Sequence, residues 1–257
     1  KSLDKLKETK RIEPAGSLRR MKETVRDIDI LVTSKKAKKI MDFFVKLPQV
    51  QDVLAHGPTK SSVFTKFGIQ VDVRVVSPAS FGAALMYFTG SKEHNIKLRE
   101  LAIKKGYKLN EYGLFRKKGN KKIRAREERD IYKALGLSFI PPQLREERGE
   151  IASSAKNKLP KLVELEDIKG DLHIHSNYSD GVVPIERMAR EAKKRGYQYI
   201  AITDHSKSLK IAGGLSEKKL FKQIDEIRKI NKKLKNFKIL AGSEVDISSD
   251  GKLDFKD

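Results

Sequence analysis

Asp27 and Asp29 stand two apart in the run GSLRRMKETVRDIDILV (residues 16–32), and Asp72 stands in IQVDVRVV (residues 69–76). Side chains two apart on a strand share a face, so the two aspartates point one way while Ile28 and Ile30 enter a core. The later stretch repeats the pattern, with Ile69, Val71 and Val73 alternating with Asp72 and Arg74. Three carboxylates converging from two strands make an oxygen-rich site for hard cations such as Mg²⁺. Two such ions, roughly 3.5–4 Å apart, can activate an attacking oxygen and steady a leaving pyrophosphate. Gly16 and Ser17, followed by Arg19 and Arg20, add the donors a triphosphate needs: backbone N–H, hydroxyl, then guanidinium forks. An Asp-x-Asp pair by itself is also what a solvated strand face looks like. The basic loop before it and the third strand-borne aspartate after it favour nucleotidyl transfer.

A second constellation lies in DLHIHSNYSDG (residues 171–181), where His173 and His175 are two apart and Asp180 follows in a glycine-ended loop. An apolar strand at 199–203 then delivers Asp204 and His205, and a strand at 238–241 delivers Glu244. A His-x-His pair can be purely structural, but three of the five histidines of the chain fall in this segment. Imidazoles mixed with carboxylates suit Zn²⁺, Mn²⁺ or Fe²⁺.

The elements that must position the first group follow from periodicity and turn residues. Residues 1–10 are expected as the end of a charged helix and 11–15 as a short strand feeding Gly16. Residues 27–33 form a strand, and 37–47 an amphipathic helix with Ile40, Phe43, Phe44 and Leu47 at helical spacing, stopped by Pro48. Strands follow at 50–56, 62–67 and 69–76, with Gly57-Pro58 and Gly68 marking turns; His56 falls at a strand end with no ligand role. A helix at 81–88 breaks at Thr89-Gly90, and Ser91 can cap the next helix, which runs to about residue 105. On it Asn95 and Arg99 share a face while Leu98, Leu101 and Ala102 pack elsewhere; by pattern alone the first two are ordinary surface residues. The basic run RKKGNKKIRAREER (116–129) is either a solvated hairpin or a contact to nucleic-acid backbone. Residues 130–137 form a short helix, and Pro141-Pro142 starts an extended segment.

Residues 143–168, rich in Glu, Lys and Ser, read as an interdomain linker whose Leu159, Leu162, Val163 and Leu165 are available for docking. After it, a helix with Pro184 near its start and Gly196 past its end fits between two strands. A longer one at about 216–234 precedes the last strand. Strand–helix units with polar residues at strand ends describe an α/β barrel with its site at that rim.

The chain has 257 residues and a net charge of +22, enough length for two domains and a charge that favours an anionic partner. Residues 1–170 carry 38 basic against 21 acidic side chains, and the rest 18 against 13, so the excess sits with the first constellation. A generally basic, heat-adapted surface is an alternative source for part of such an excess. With no cysteine, disulfides and thiolate zinc sites are excluded, which fits a reducing cytoplasm. No apolar run reaches the roughly 18 residues of a membrane span. The chain begins at Lys1 rather than Met, so an upstream segment is expected and targeting is not legible from that end.

The segments GSLRRMKETVRDIDILV, VDVRVV and FGAALMYFTGSKEHNIKLRELAIKKGYKLNEYGLF resemble the palm and thumb of family X DNA polymerases, the gap-filling repair class, over about residues 11–140. The resemblance implies an α+β nucleotidyltransferase palm (1–80) with an α/β thumb (81–142). Asp27, Asp29 and Asp72 would bind two Mg²⁺ or Mn²⁺ ions, with Asp72 beside the primer 3′ oxygen. Gly16, Ser17 and Arg20 would hold the incoming dNTP. Tyr87, Phe88, Thr89 and Gly90 match the segment beside the nucleotide sugar, Asn95 and Arg99 match minor-groove contacts, and Arg74 and Glu111 match side chains that rearrange on thumb closure. Met21 replaces a glycine found after the two arginines in many relatives. The partners implied are gapped or primer–template DNA and a dNTP, without a membrane, for a monomer in the cytoplasm.

Residues 169–257 resemble the first part of a PHP-type α/β barrel, a phosphoesterase module joined to such polymerases in bacteria and archaea. That resemblance implies metal roles for His173, His175, Asp180, His205 and Glu244 in a Mn²⁺, Zn²⁺ or Fe²⁺ cluster, and 3′–5′ exonuclease or 3′-end-processing chemistry. The family's later His and Asp-x-His ligands are expected beyond Asp257, and its DNA-end-binding helix-hairpin-helix region before Lys1. A chain ending at Asp257 is expected to lack nuclease turnover. The alternatives are a PHP phosphoesterase acting on small phosphate monoesters and a catalytically inactive DNA-binding fragment.

Overall fold

The computed structural model describes residues 2–255 and divides the chain into two compact units, Lys1–Pro160 and Lys161–Asp257.

The first unit is built on a five-stranded sheet. Its strands are β1 (Arg11–Pro14), β2 (Asp27–Thr33), β3 (Val50–His56), β4 (Lys60–Thr65) and β5 (Gln70–Val76), in the order β1-β2-β5-β4-β3. β2 and β5 run parallel and the other pairs antiparallel. A one-turn helix α1 (Gly16–Arg19) joins β1 towards β2, and α2 (Ala37–Phe44) follows β2. Alternation along the two central strands sorts their side chains. Val32, Val73 and Val75 are buried with Ile40, Met41 and Phe44 of α2, and Ile30 and Val71 pack against them. Each fully buried aliphatic side chain contributes about 1.5–3 kcal/mol of burial. Leu31, on the opposite face with Asp29, packs against Phe81, Ala84 and Leu85 of α3 (Phe81–Thr89). The carboxylates are therefore carried on the α3 side of the sheet. Ile28, expected in the core, is only half-buried because the β2 start lies beyond the α2 cluster.

α4 (Lys92–Lys104) follows α3, its Ser91 hydroxyl accepting the His94 N–H as a cap. A three-stranded sheet of β6 (Tyr107–Asn110), β7 (Gly113–Arg116) and β8 (Lys122–Ile123) comes next, then α5 (Glu128–Ala134). The Asp130 carboxylate caps α5 by accepting the Arg126 and Glu127 N–H groups. Leu98, Ala102, Leu114, Ile131, Tyr132, Leu135 and Ile140 form the core of this region. The basic run at 116–129 contains the turn and the second strand of the β7–β8 hairpin, and its Glu128 is buried.

Two further expectations are corrected. The end of a charged helix at 1–10 is one 3-10 turn, Leu3–Lys5, whose Leu3 is buried; the Thr9 hydroxyl closes the next turn on the Leu3 carbonyl. Residues 143–155 are not linker. Arg145 is fully buried, α6 (Glu150–Ala155) follows, and Glu150 and Ser154 are buried too. Their polar groups are spent inside the fold, which composition does not reveal. Leu159 packs against the same core, whereas Val163 and Leu165 remain exposed.

The second unit holds a three-stranded parallel sheet, β9 (Gly170–Ile174), β10 (Tyr199–Ile202) and β11 (Lys238–Ala241), in the order β11-β10-β9. α7 (Ile185–Lys194) and α8 (Glu217–Lys233) are the crossovers. Ile185, Ala189, Ile200, Ile202, Ile227 and Ile239 form its core. Among the described residues, β9 and β11 are open edges, in keeping with part of a barrel.

Candidate functional site

Asp29 and Asp72 are direct partners in the β2–β5 pair, and Asp27 is opposite Gln70 one pleat earlier. Parallel pairing thus gathers the three carboxylates on one face. Burial, and then the charges of Asp27 and Asp72, hold the Asp29 carboxyl above its usual range. Asp72 goes the other way. Burial resists its ionisation, but hydrogen bonds from Lys60, Gln70 and Ser62 outweigh that and hold it below the usual carboxylate range. The Lys60 Nζ lies 2.8 Å from Asp72 Oδ2, and Gln70 Nε2 lies 2.9 Å from Oδ1. The three carboxylates do not bring one oxygen each within 4.8 Å of one another.

A cleft of about 350 Å³ opens beside them, lined by Gly16, Ser17, Arg20, Asp27, Asp29, the 87–90 segment, Lys92, Asn95 and Arg99. Gly16 adopts φ +60°, and a Cβ there would meet Asp29 Oδ2 at 2.3 Å, so only glycine lets the backbone pass so close. Asn95, by pattern a surface residue, is 9% exposed; its Nδ2 donates to the Tyr87 carbonyl at 2.7 Å, and its Oδ1 has no partner among the described residues. Arg99 is exposed on the same helix. Arg74 and Glu111 line a separate cavity of about 280 Å³, and the Arg74 guanidinium stacks 4.4 Å over the Phe88 ring.

The two adjacent arginines differ. Arg19 is turned away from the cleft into a bidentate pair with Glu128, Nη1–Oε1 at 2.8 Å and Nη2–Oε2 at 2.6 Å. The pair of phosphate forks expected from Arg19 and Arg20 is thus reduced to Arg20. Arg145 also donates to Glu128 Oε1 at 2.6 Å. Burial resists ionisation of Glu128, yet its two arginines hold it below the usual range. Behind them, Glu150 accepts from His94 Nδ1 at 2.6 Å, and Tyr132 lies 3.0 Å from Nε2. Burial keeps His94 below the usual imidazole range, the neutral tautomer donating to Glu150 and accepting from Tyr132. Lys60, Glu128 and Arg145 escaped sequence reasoning, because nothing local marks a lysine, glutamate or arginine whose partner is distant in the chain.

In the second unit the strand ends converge. His173 Nε2, His175 Nε2 and Glu244 Oε2 lie 3.0 Å from one another. His175 Nδ1 lies 2.9 Å from Asp180 Oδ1, and His205 Nε2 lies 3.5 Å from Asp180 Oδ2. The groups His173–His175–Glu244 and His175–Asp180–His205 each bring their ligand atoms within 4.8 Å. Such spacing suits a divalent ion bound by nitrogen and oxygen at about 2.0–2.2 Å. Hydrogen bonding from His173 holds Glu244, and from His175 holds Asp180, below the usual carboxylate range. Asp204 does not join them. Fully buried, it accepts from the N–H and hydroxyl groups of Ser176 and Ser179 and from Gln223, and so ties the loop bearing His175 and Asp180 to the end of β10. Gly181 permits that loop to close, since a Cβ there would sit 2.2 Å from the His175 carbonyl oxygen.

This geometry is that of a nucleotidyltransferase palm and thumb followed by an α/β unit whose strand ends carry candidate metal ligands. A family profile described as DNA polymerase beta thumb matches residues 84–146, and one described as PHP domain matches residues 171–255. "DNA polymerase/3'-5' exonuclease PolX" of Bacillus subtilis (strain 168) is 42% identical over 245 residues, covering 95% of this chain and 43% of that one. "Repair DNA polymerase X" of African swine fever virus (isolate Pig/Kenya/KEN-50/1950) is 30% identical over 146 residues, covering 53% of this chain and 82% of the viral one. The ternary primer–template complex of Leishmania infantum polymerase beta aligns with a TM-score of 0.48 at 26% identity, over 52% of this chain and 67% of that one. The chain belongs to the family X DNA polymerases. It spans less than half the length of the Bacillus relative. No helix among the described residues is long and apolar enough to cross a membrane.

Proposed function

We propose that this protein is a DNA-directed DNA polymerase that adds dNMP to a primer 3′ end in gap-filling repair, acting as a monomer in the cytoplasm. The observation that carries the proposal is the direct pairing of Asp29 with Asp72, with Asp27 on the same face, beside a cleft lined by Ser17, Arg20, Gly90, Asn95 and Arg99. Asp29, its carboxyl held above the usual range by burial and then by the charges of Asp27 and Asp72, is suited to a divalent cation. Asp27, Asp29 and Asp72 would hold two Mg²⁺ or Mn²⁺ ions, which supply charge neutralisation and a polarised primer oxygen when bound. Ser17 and Arg20 receive the triphosphate, the 87–90 backbone packs against the sugar, and Asn95, with an open carbonyl oxygen, and Arg99 face the nascent pair. Arg74 and Glu111, outside the cleft, exchange partners on thumb closure. Phosphoryl transfer needs little covalent help, so positioning and charge carry it. The test is primer extension across a one-nucleotide gap with Mg²⁺ or Mn²⁺. Asp27→Ala and Asp72→Ala should eliminate incorporation while gapped-DNA binding persists; incorporation surviving either change would overturn the proposal.

For the second unit we propose binding of Mn²⁺, Zn²⁺ or Fe²⁺ by His173, His175, Asp180, His205 and Glu244, as part of a 3′–5′ exonuclease or phosphoesterase site. The ligand spacing favours it, and the name of the Bacillus relative includes such an exonuclease. Calorimetric Mn²⁺ titration of the chain and of His173→Ala tests it: equal affinities would refute the assignment.

A further inference from the structure

We propose that Glu146 is a positioning residue for nucleotide binding, holding the Arg20 guanidinium in the orientation that receives a triphosphate. The proposal rests on the polymerase function above and assigns a role to a segment whose composition reads as linker. Arg20 Nε donates to Glu146 Oε1 at 2.8 Å, and Arg20 Nη1 donates to the Thr89 carbonyl at 2.6 Å. These two bonds fix the guanidinium plane and leave its other N–H donors without partners among the described residues, in a group that lines the cleft. Gly90 has no side chain to displace it; a Cβ would come 3.0 Å from Arg20 Nη1.

Glu146 is itself held on a rigid base. Its neighbour Arg145 is fully buried, donating to Glu128 and to the Ile140 carbonyl, and the Arg145 carbonyl accepts the Ser91 N–H at 3.0 Å. The tie therefore runs from the buried Glu128 cluster through Glu146 to Arg20, beside the loop of Ser17. A carboxylate next to a triphosphate subsite costs Coulombic attraction for the ligand. Its presence is explained by the order it imposes on a long side chain that would otherwise sample many rotamers. Arg19 does not substitute, because Glu128 engages it bidentately.

Charge and position are separable by substitution. Binding of a fluorescent dATP to the 257-residue chain on gapped DNA with Ca²⁺ should weaken about tenfold in Glu146→Ala. Glu146→Asp, which keeps the charge and shortens the reach, should weaken it comparably. Glu146→Gln, whose amide oxygen still accepts from Nε, should restore binding, with gapped-DNA affinity unaltered throughout. Unchanged or tighter dATP binding in Glu146→Ala or Glu146→Asp would overturn the proposal, as would parallel loss of DNA affinity. Binding of dATP by the parent without primer extension would remove the polymerase activity and leave the Glu146 result standing; absence of dATP binding by the parent would overturn both.

Discussion

Gly16 passes so close to Asp29 that a methyl group on its α-carbon would sit 2.3 Å from Asp29 Oδ2. The approach follows from the way α1 leaves β1: the Ala15 N–H donates to the Asp29 carbonyl at 2.8 Å, and Gly16 turns at φ +60°. In Gly16→Ala the L-residue is strained at that φ and its Cβ displaces the Asp29 carboxylate. A displacement near 1 Å in a positioned catalytic group costs about a hundredfold. Steady-state incorporation should fall by about that factor while the thermal midpoint moves only a few degrees; full activity would show that Asp29 tolerates displacement.

Glu128 joins three parts of the first unit, receiving Arg19 of α1 and Arg145 of the 142–149 segment. Removing one partner of a buried ion pair costs about 3–5 kcal/mol because the other charges are left unpaired. Glu128→Ala should lose stability on that scale in urea titrations, and Glu128→Gln somewhat less. A loss below about 1 kcal/mol, the ordinary value of an exposed pair, would contradict the buried-cluster assignment.

Stability should depend on pH through His94. Burial lowers its pKa in the folded protein relative to the ordinary value of 6.5. With the folded pKa depressed, protonation favours the unfolded chain, so the neutral ring's contribution is complete above about pH 6.5 and is lost as pH falls towards the lowered value. Carboxylates such as Glu128, also depressed from 4.5, act at lower pH. Chemical denaturation at a series of pH values between 7.5 and about 5 should show falling stability for the parent. His94→Gln should be less stable at pH 7.5 with a shallower slope; identical slopes would remove His94 as the cause.

Asp204 holds the loop that carries His175 and Asp180. In Asp204→Asn an amide faces donors that a carboxylate satisfied, and the loop loses its tie. Groups that orient metal ligands typically account for 10–100-fold in metal affinity. Calorimetric Mn²⁺ affinity should fall in that range, although Asp204 touches no metal; retained affinity would show that the loop holds its shape without it.

Much of the frame was legible locally. Alternation around Asp27 and Asp72 marked β2 and β5, Ser91 marked the start of α4, and the β11 bounds matched the apolar run. Those signals work because pleat, cap and turn preferences act over a few residues. Residues 143–155 escaped for the opposite reason: a stretch rich in Glu, Arg and Ser resembles a solvated linker unless one knows that Glu128 awaits Arg145 and that His94 awaits Glu150. Asn95 likewise reads as surface on its own helix and is buried by the neighbouring α3.

The order of residues by itself determined which groups exist to do chemistry, their strand faces, and the family to which the chain belongs. Tertiary structure alone decided that Asp72 is opposite Asp29, that Lys60 holds Asp72, and that Arg19 and Arg20 part company towards Glu128 and Glu146. The reason is range. Periodicity is set by bonds between near neighbours, whereas the choice of partner for a charge depends on which distant segment is packed beside it and how much water has been excluded.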